Sequence, residues 1–405
     1  MPSASYPTPG TSPSLEIAGD AIPFQVSVVP TDMVPSVTQP TIHLRRCLSS
    51  RQGRHHRSAR EDRREGGQGV VDGNLQQPGA RGNRQLRLVV AMVVLSAVML
   101  GPGARTAAAA TAGRVTSFTG HRIGDPYGIA AGPDGALWFT NQYPKSIGRI
   151  TTAGKITNFQ SPGIGQGQGI AAGPDGAMWF TNFTTNSIGR ITTAGAVTDF
   201  TGPGIAGPDG IVAGSDGALW FTNLGNDSIG RITTAGKVTN FTVHGISGPL
   251  RIAAGPDKAL WFTNESNDSI GRITTAGAVT DFSGLGISLP QGIAAGPDGA
   301  LWFTNSGNAS IGRISTRGAV TNYTARGITS PQEIAAGPDG ALWFTIAGVQ
   351  DQPNPDGIGR ITIAGKVTVS IDRSIVGPQG ITAGSDGALW FTNRANNSIG
   401  RITKA

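Results

Sequence analysis

Cysteine is almost missing from this chain of 405 residues, since the only one is Cys47. The region beyond residue 112 therefore has no thiol, which excludes a disulfide, a zinc–thiolate site and a cysteine nucleophile from that region. Histidine is scarce as well: of five in the chain, only His121 and His244 lie beyond residue 112. Any chemistry that needs an imidazole in this region must use one of these two.

Charged residues are few, at 14% of the chain, and their formal sum is +7. Residues 1–111 contain 12 Lys or Arg against 7 Asp or Glu, which leaves 20 against 18 for the remainder. The later region is thus close to neutral and shows no basic stripe, so the sequence predicts no nucleic-acid partner. Basic side chains scattered among Gly, Ser and Gln are typical of disorder, and we expect residues 1–80 to form a disordered basic leader.

A long apolar run occurs only once, after this leader. Arg81, Arg84 and Arg87 precede the 13 residues Leu88–Leu100, and small residues follow from Ala104 to Ala112. These are the three parts of a secretory signal peptide, and the apolar core is short for a membrane-spanning helix. Residues 81–112 are therefore predicted to be a signal peptide, with an uncleaved membrane anchor as the alternative, and the protein is predicted to be secreted. Because such signals normally begin near residue 1, a further hypothesis is that translation starts downstream and residues 1–80 are not made.

Tryptophan is limited to seven residues, and their spacing reveals an internal repeat. Each lies in a segment similar to Gly292–Val320, GIAAGPDGALWFTNSGNASIGRISTRGAV. The spacing between them is 41 residues five times and then 47. Their positions are Trp138, Trp179, Trp220, Trp261, Trp302, Trp343 and Trp390. A tandem period near forty is typical of propellers and solenoids, in which each unit buries its apolar face against its neighbours.

Each repeat divides into four short apolar runs. In the copy around Trp302 they are strand A, 292–295; strand B, 300–304; strand C, 310–315; and strand D, 319–324. A Pro-Asp-Gly triplet joins A to B, as expected for a tight turn. Four antiparallel strands per forty residues indicate a propeller blade, because solenoid repeats of this length are helical. The 61 glycines agree with many short strands joined by turns.

The number of strands predicts how the ring closes. There are seven sets of A, B and C strands, but the last copy ends after its C strand. Residues Arg114–Thr119 match strand D and precede the first A strand. The fold class is therefore predicted to be all-β, a seven-bladed propeller over residues 113–405 whose last blade is closed by the N-terminal strand. Closure leaves no open sheet edge, and we expect a monomer.

Residues that recur in every copy are best explained by needs that all blades share. The Trp of strand B and the Ile residues of strand C are expected to pack blade against blade. The Asp of the A–B turn, such as Asp298, is expected to cap its own backbone. The Arg of the IGRI segment, such as Arg313, is expected to clamp neighbouring blades together by stacking or hydrogen bonding.

A specific site must instead lie where the copies differ. In propellers the D–A and B–C loops emerge on one face, around the mouth of the central channel. The residue before the Gly-Ile of strand A varies, and we call these seven positions the channel ring. They are Tyr127, Gln168, Asp209, Leu250, Gln291, Gln332 and Gln379. All except Leu250 are predicted to bind a ligand, together with Glu333. The position after the ring is glycine except at Arg251 and Glu333.

Blade four has the most varied set of polar residues. His244, Arg251 and Glu265 all fall on its loop side. As a site they would suit proton abstraction, with Glu265 orienting His244 and Arg251 stabilising negative charge. The alternative is that they are scattered surface residues. The extra residues within Ile346–Asp356 form a longer B–C loop, either part of a binding face or a tolerated surface loop.

The repeat WFT-N-x5-IGRIT-TAG-xVTxF, read with GPDGALWF, resembles that of the virginiamycin B lyase family, the streptogramin B lyases, over residues 114–405. The resemblance implies a seven-bladed propeller that opens cyclic depsipeptide antibiotics of the streptogramin B type. It implies cleavage of the ring ester by β-elimination, with Mg²⁺ assisting and a histidine transferring the proton.

The positions that the resemblance makes catalytic differ in this chain. The family's P-H-x-I motif matches segments in which Gln332 and Gln379 stand at the histidine positions. The family's glutamate before the final histidine falls on Gly377, and its glutamate closing strand B is Asn in six blades and Ile346 in the other. Glutamine cannot take a proton near neutral pH, and Mg²⁺ prefers carboxylate ligands.

Three functions remain open from the sequence. The first is a secreted lyase-like propeller that acts on a cyclic peptide or ester through residues such as His244 or Glu333. The second is a non-catalytic secreted propeller that binds a peptide, glycan or cell-wall ligand on its loop face. The third is a metal-dependent lactonase of propeller type, for which only Asp209, Glu265 and Glu333 could supply carboxylates. The metal ligands are unknown.

Overall fold

The structure is a computed structural model that describes residues 113–284, 286–348 and 356–404. The predicted leader, the predicted signal peptide and most of the blade-six insertion lie outside the described residues. Within the described ranges, no helix is long and apolar enough to cross a membrane.

Seven four-stranded antiparallel sheets make up this region, which confirms the predicted fold class. The innermost strands, A, are β2 Pro126–Ala131, β6 Gly167–Ala172, β10 Pro208–Ala213, β14 Pro249–Ala254, β18 Pro290–Ala295, β22 Pro331–Ala336 and β26 Pro378–Ala383. The B strands are β3 Leu137–Asn141, β7 Met178–Asn182, β11 Ala218–Asn223, β15 Leu260–Asn264, β19 Leu301–Asn305, β23 Ala341–Ile346 and β27 Leu389–Asn393. The C strands are β4 Ser146–Ile150, β8 Ser187–Ile191, β12 Ser228–Thr233, β16 Ser269–Ile273, β20 Ser310–Ile314, β24 Gly357–Thr362 and β28 Ser398–Ile402. The outermost strands, D, are β5 Ile156–Phe159, β9 Val197–Thr201, β13 Val238–Phe241, β17 Val279–Ser283, β21 Val320–Tyr323, β25 Val367–Ser370 and β1 Val115–Thr119. One short 3₁₀ turn, Leu224–Asn226, is the only helical segment in the described part of the chain.

Ring closure follows the predicted pattern. Strand β1 pairs antiparallel with β28, and Phe118 lies opposite Ile399. Blade seven therefore consists of three C-terminal strands and one N-terminal strand. The sequence predicted this strand because Arg114–Thr119 matches the D pattern.

The core is divided into seven clusters of buried apolar side chains, one between each pair of neighbouring blades. Between blades five and six, Trp302 and Ile311 pack with Leu342 and Phe344 of the next blade. Trp302 is fully buried and stacks on Tyr323 of its own outer strand, with ring centroids 5.3 Å apart. The predicted packing role of Trp and Ile is confirmed. A blade cannot bury this surface alone, so the ring is the cooperative unit.

The recurring Asp and Arg form a motif within each blade. In blade five, Asp298 accepts hydrogen bonds from the backbone N–H of Ala300 at 3.4 Å and from the indole N–H of Trp302 at 3.0 Å. Its other oxygen pairs with Arg313 at 2.7 Å. The expected backbone cap is confirmed, but the expected clamp between blades is wrong, because this ion pair joins strand C to the A–B turn of the same blade. The indole N–H needs an acceptor when buried, and the aspartate supplies it.

Neighbouring blades are held in register by the threonine of strand B. Each of these hydroxyls donates to the backbone C=O of a channel-ring residue in the next blade, for example Thr263 to Gln291 at 2.8 Å. The asparagine that closes strand B is buried in six blades and braces the preceding D–A loop. These asparagines are scaffold residues. In blade six the position is Ile346, which is packed in an apolar cluster.

Candidate functional site at the loop face

The D–A and B–C loops lie on one side of the ring, which we call the loop face; the A–B and C–D turns form the opposite side, the turn face. Bonds between neighbouring blades cross the loop face. For example, the Asp268 carboxylate of a B–C loop accepts from the Leu289 N–H of the next D–A loop at 2.7 Å. The channel-ring residues stand at the start of each innermost strand, so their side chains surround the channel mouth on this face.

Arg251 connects four blades across the channel. Its guanidinium forms ion pairs with Asp209 of blade three and Glu333 of blade six. It also donates to the Tyr127 hydroxyl of blade one at 3.2 Å and lies 5.4 Å from the centroid of that ring. The sequence singled out Arg251 and Glu333 because they replace glycine, and the structure brings them together.

Burial and ion pairing together determine the charge of this cluster. The side chains of Arg251 and Asp209 are only 17% and 9% exposed. Burial disfavours the charged guanidinium, but the Glu333 carboxylate and the Tyr127 side chain outweigh it and hold the pKa of Arg251 above its ordinary value. One cation faces two carboxylates, so the cluster carries a formal charge of about −1 at neutral pH.

The cluster divides the channel into two cavities. The larger one, of about 130 Å³, is lined by Gln168, Arg251 and Glu333 and by isoleucines of the innermost strands. The smaller one, of about 20 Å³, is lined by Gln291, Gln332 and Gln379. Tyr127, Arg251 and Glu333 line both. They therefore form a plug between the mouth, which is lined by three glutamines, and the channel beneath it, where isoleucines of the innermost strands line the wall.

The glutamines of the channel ring are not equivalent. Gln291 donates to the Glu265 carboxylate at 2.9 Å, and Gln332 donates to the Ser330 hydroxyl at 3.0 Å. The carboxamides of Gln168 and Gln379 make no hydrogen bond to any described residue. Blades two and seven flank blade one, so Gln168 and Gln379 belong to the two blades next to that of Tyr127. Gln168 lines the larger cavity and Gln379 lines the smaller one.

The predicted group His244, Arg251 and Glu265 is not assembled. His244 is exposed in the D–A loop, close behind the outer strand β13. A Cβ placed on its neighbour Gly245 would lie 3.1 Å from Asp281 of the outer strand β17, so this loop position is peripheral. Arg251 points into the channel and Glu265 pairs with Gln291. Among the described residues, no hydrogen bond or ion pair links His244 to either of them.

One contact at the mouth was not predicted from the sequence. Arg394 in the blade-seven B–C loop pairs with Asp125 at 2.5 Å and lies 5.8 Å from the Tyr127 ring centroid. It joins the first and last blades beside the Tyr127 ring. The sequence feature that could have revealed this contact is Asp125, an acidic residue in the D–A loop of blade one. At the same loop position, blades three, four and seven have glycine: Gly207, Gly248 and Gly377.

The residues present do not fit the Mg²⁺ that the family resemblance implies. Mg²⁺ prefers carboxylate and water oxygens. Asp209 and Glu333 are both paired with Arg251, and Glu265 already accepts from Gln291. Throughout the described ranges, no group of three or more His, Cys, Asp or Glu side chains converges to hold a metal.

Fold and site together define a seven-bladed propeller with a glutamine-lined mouth above an arginine plug. The chain belongs to the virginiamycin B lyase family, whose model matches residues 103–247 and 244–405.

Solved structures agree with this assignment. A catalytically inactive virginiamycin B lyase from Staphylococcus aureus, with alanine in place of a histidine and determined with quinupristin, is 35% identical with a TM-score of 0.65, and the match covers 72% of this chain and 99% of that one. A streptogramin B lyase structure is 33% identical with a TM-score of 0.67, covering 73% and 99%. The hydrazine synthase of Kuenenia stuttgartiensis, at 16% identity, TM-score 0.60 and coverage of 70% and 97%, shows the fold alone. No curated protein sequence matches the chain significantly.

Proposed function

We propose that this protein binds a small cyclic peptide of the streptogramin B type at the loop-face mouth and does not linearise it. The observation that carries the proposal is that the carboxamides of Gln168 and Gln379, which make no hydrogen bond to a described residue, line the two cavities that share Tyr127. A carboxamide both donates and accepts, so it pairs well with the amides of a peptide ring. Tyr127 adds an aromatic surface with a polar tip. The relative from S. aureus, whose structure was determined with quinupristin, supports this ligand class.

The same residues argue against elimination. The S. aureus relative with alanine in place of one histidine is catalytically inactive. By resemblance, the histidine positions are Gln332 and Gln379 here, and glutamine is no base near neutral pH. Arg251 is bound to two carboxylates and is not free to stabilise a developing anion. The proposed role is therefore recognition without bond cleavage.

The test is a titration of the protein with quinupristin, followed by calorimetry. Binding should weaken about tenfold or more in the double variant Gln168→Ala, Gln379→Ala, since each lost hydrogen bond contributes about 1 kcal/mol. Gln160→Ala is the matched control, because Gln160 is exposed and lies away from the ring. Equal affinity of the double variant and the control would reject this binding site.

Catalysis is the second candidate, and family membership favours it. In this case the protein would open the ring ester with His244 or Glu333 as the base. Quinupristin incubated with the protein, with and without Mg²⁺, should then yield the linear product, and replacing the base, by His244→Ala or by Glu333→Gln, should abolish the conversion. Unchanged quinupristin at high protein concentration supports binding alone.

The proposed location is outside the cell. The support is the sequence of residues 81–112, which has the three parts of an export signal. N-terminal sequencing of protein recovered from the medium should find a start near residue 113. A peptide from residues 1–75 in cells would show that the leader is made.

A further inference from the structure

The near-neutral sum of charges hides a strong separation between the two faces. The 20 Lys and Arg beyond residue 112 fall into three sets. Seven are the IGRI arginines, each paired with its turn aspartate. Six lie in loops or at the channel on the loop face, and the remaining seven lie on the turn face.

The turn-face basic residues come from six of the seven blades. Lys155, Lys237, Arg317 and Lys366 occupy C–D turns, and Lys258 occupies the A–B turn of blade four. Arg114 and Lys404 flank the paired ends of β1 and β28. All seven are exposed, and none forms an ion pair with a described residue. We call these seven residues the basic turn set.

Acidic residues show the opposite distribution. Outside the seven paired turn aspartates, all ten described Asp and Glu lie in loop-face segments or in the half of strand D nearest to them. Asp199, for example, accepts from Asn182, which closes strand B on the loop side. The described loop-face residues thus sum to about −4 and the turn face to about +7 at neutral pH.

We infer that the turn face is a docking surface for a bilayer of anionic phospholipids. The basic turn set is spread around the ring and does not line a groove, so it matches an extended negative surface better than a single strand of polyanion. Ile363 adds an apolar contact: it occupies the C–D turn beside Lys366 and is 49% exposed, where blades one to four have threonine. Basic residues with an exposed apolar side chain are typical of interfacial binding.

Docking in this way leaves the loop face directed away from the lipid. The ligand mouth and the membrane surface would then be used at the same time, on opposite sides of one ring. The inference does not depend on the ligand proposed for the loop face, because the two sets of residues share no member.

The first experiment is co-sedimentation of the full chain with vesicles of phosphatidylcholine, with or without phosphatidylglycerol. Binding to the anionic vesicles should decrease steeply as NaCl is raised from about 50 mM to about 500 mM. The triple variant Lys155→Glu, Lys237→Glu, Lys366→Glu should bind at least about a hundredfold more weakly, since each basic residue lost contributes about fivefold and each added carboxylate is repelled by the lipid. The matched control, Lys145→Glu, Arg326→Glu, Arg373→Glu, has the same net charge but changes the loop face, and it should bind like the wild type.

The second experiment reports orientation and separates this surface from any effect of the basic leader. In a Cys47→Ser background, Ile363→Cys on the turn face and Ile371→Cys in the loop-face segment of the same blade are labelled with an environment-sensitive fluorophore. Ile371 is 58% exposed, so the two positions are comparable. Anionic vesicles should shift the emission of the label at position 363 to shorter wavelength and leave the label at position 371 unchanged.

Three results would overturn the inference. Equal loss of binding in the two triple variants would mean that only net charge matters. Equal emission shifts at positions 363 and 371 would mean that the turn face is not the docking face. Binding to soluble polyphosphate without binding to the vesicles would assign the surface to a polyanion other than lipid.

Discussion

Arg251 and Glu333 lie on the innermost strands of blades four and six, and their side chains meet inside the channel. Both replace the glycine that other blades have at this position. The two residues that differ from the repeat at this position thus contact each other, and Asp209 of blade three forms a second ion pair with Arg251.

Removing the guanidinium should destabilise the ring. Arg251→Met leaves two largely buried carboxylates without a counter-ion, and we expect the free energy of unfolding to fall by about 3–5 kcal/mol. Urea denaturation followed by tryptophan fluorescence measures it. Arg326→Met is the control at an exposed position. Adding Glu333→Gln to Arg251→Met should recover part of the loss, and a double variant as unstable as the single one would contradict the role of Glu333.

The turn aspartates should make the protein sensitive to acid. Burial raises their pKa, but hydrogen bonds from Trp and Arg outweigh burial, so each pKa lies below its ordinary value of 3.8. The unfolded chain therefore takes up protons at a higher pH than the folded protein. The stabilisation is complete above about pH 5 and is lost as the pH falls through 3.8 and below.

One blade can test this motif. Asp298→Ala leaves the buried indole N–H of Trp302 without an acceptor and should cost about 1–3 kcal/mol at pH 6. The loss relative to wild type should shrink as the pH falls below 4, because the Asp298 carboxylate of the unfolded wild-type chain then takes up a proton and the wild type loses the stabilisation that Asp298 provides. Urea denaturation from pH 6 to pH 3 measures both effects. A loss that is constant with pH would show that the carboxylate charge is irrelevant.

A hydrogen bond that joins several pairs of neighbouring blades is missing between blades five and six, and restoring it should stabilise the protein. Asn186, Asp227, Asp268 and Asn397 adopt positive φ and accept a backbone N–H of the next D–A loop at 2.7 Å. Ala309 occupies the same position with φ 51° and has no acceptor. Ala309→Asp should raise the free energy of unfolding by about 1 kcal/mol, from one hydrogen bond and a better tolerated φ. Ala319→Asp, on an exposed turn, should change stability by less than about 0.5 kcal/mol.

The glutamate that the family resemblance places at Gly377 should not be tolerated freely here. Gly377 has φ 57°, and an added Cβ would lie 2.9 Å from the Ala395 Cβ. Gly377→Glu should therefore lower the free energy of unfolding by about 1–3 kcal/mol. Gln379→His, at an open ring position, should lower it by less than about 0.5 kcal/mol. A fully stable Gly377→Glu variant would show that the Ala395 loop moves aside at little cost.

Periodicity was enough to predict the fold from the sequence, because each blade repeats the same Trp, Ile and turn residues and the strand count requires Arg114–Thr119 to complete the ring. For the site, the sequence predicted which positions face the channel but not which side chains meet there. Sequence register places Arg251 and Glu333 next to the channel ring. The two residues are 82 apart in the sequence, so their pairing depends on the geometry of the closed ring. His244 was grouped with Arg251 because both belong to blade four. The D–A loop crosses from the outer strand to the inner one, so closeness in sequence does not bring them together.

The pairing of β1 with β28 also decides where anything attached to the ring must emerge. Arg114 and Thr403 leave blade seven side by side at the turn face, where the Arg114 C=O accepts from the Thr403 N–H at 3.2 Å. A tag, a surface linker or a fused domain joined at either end therefore extends away from the channel mouth. A protein immobilised by such a tether would present the channel mouth and the channel ring to solvent.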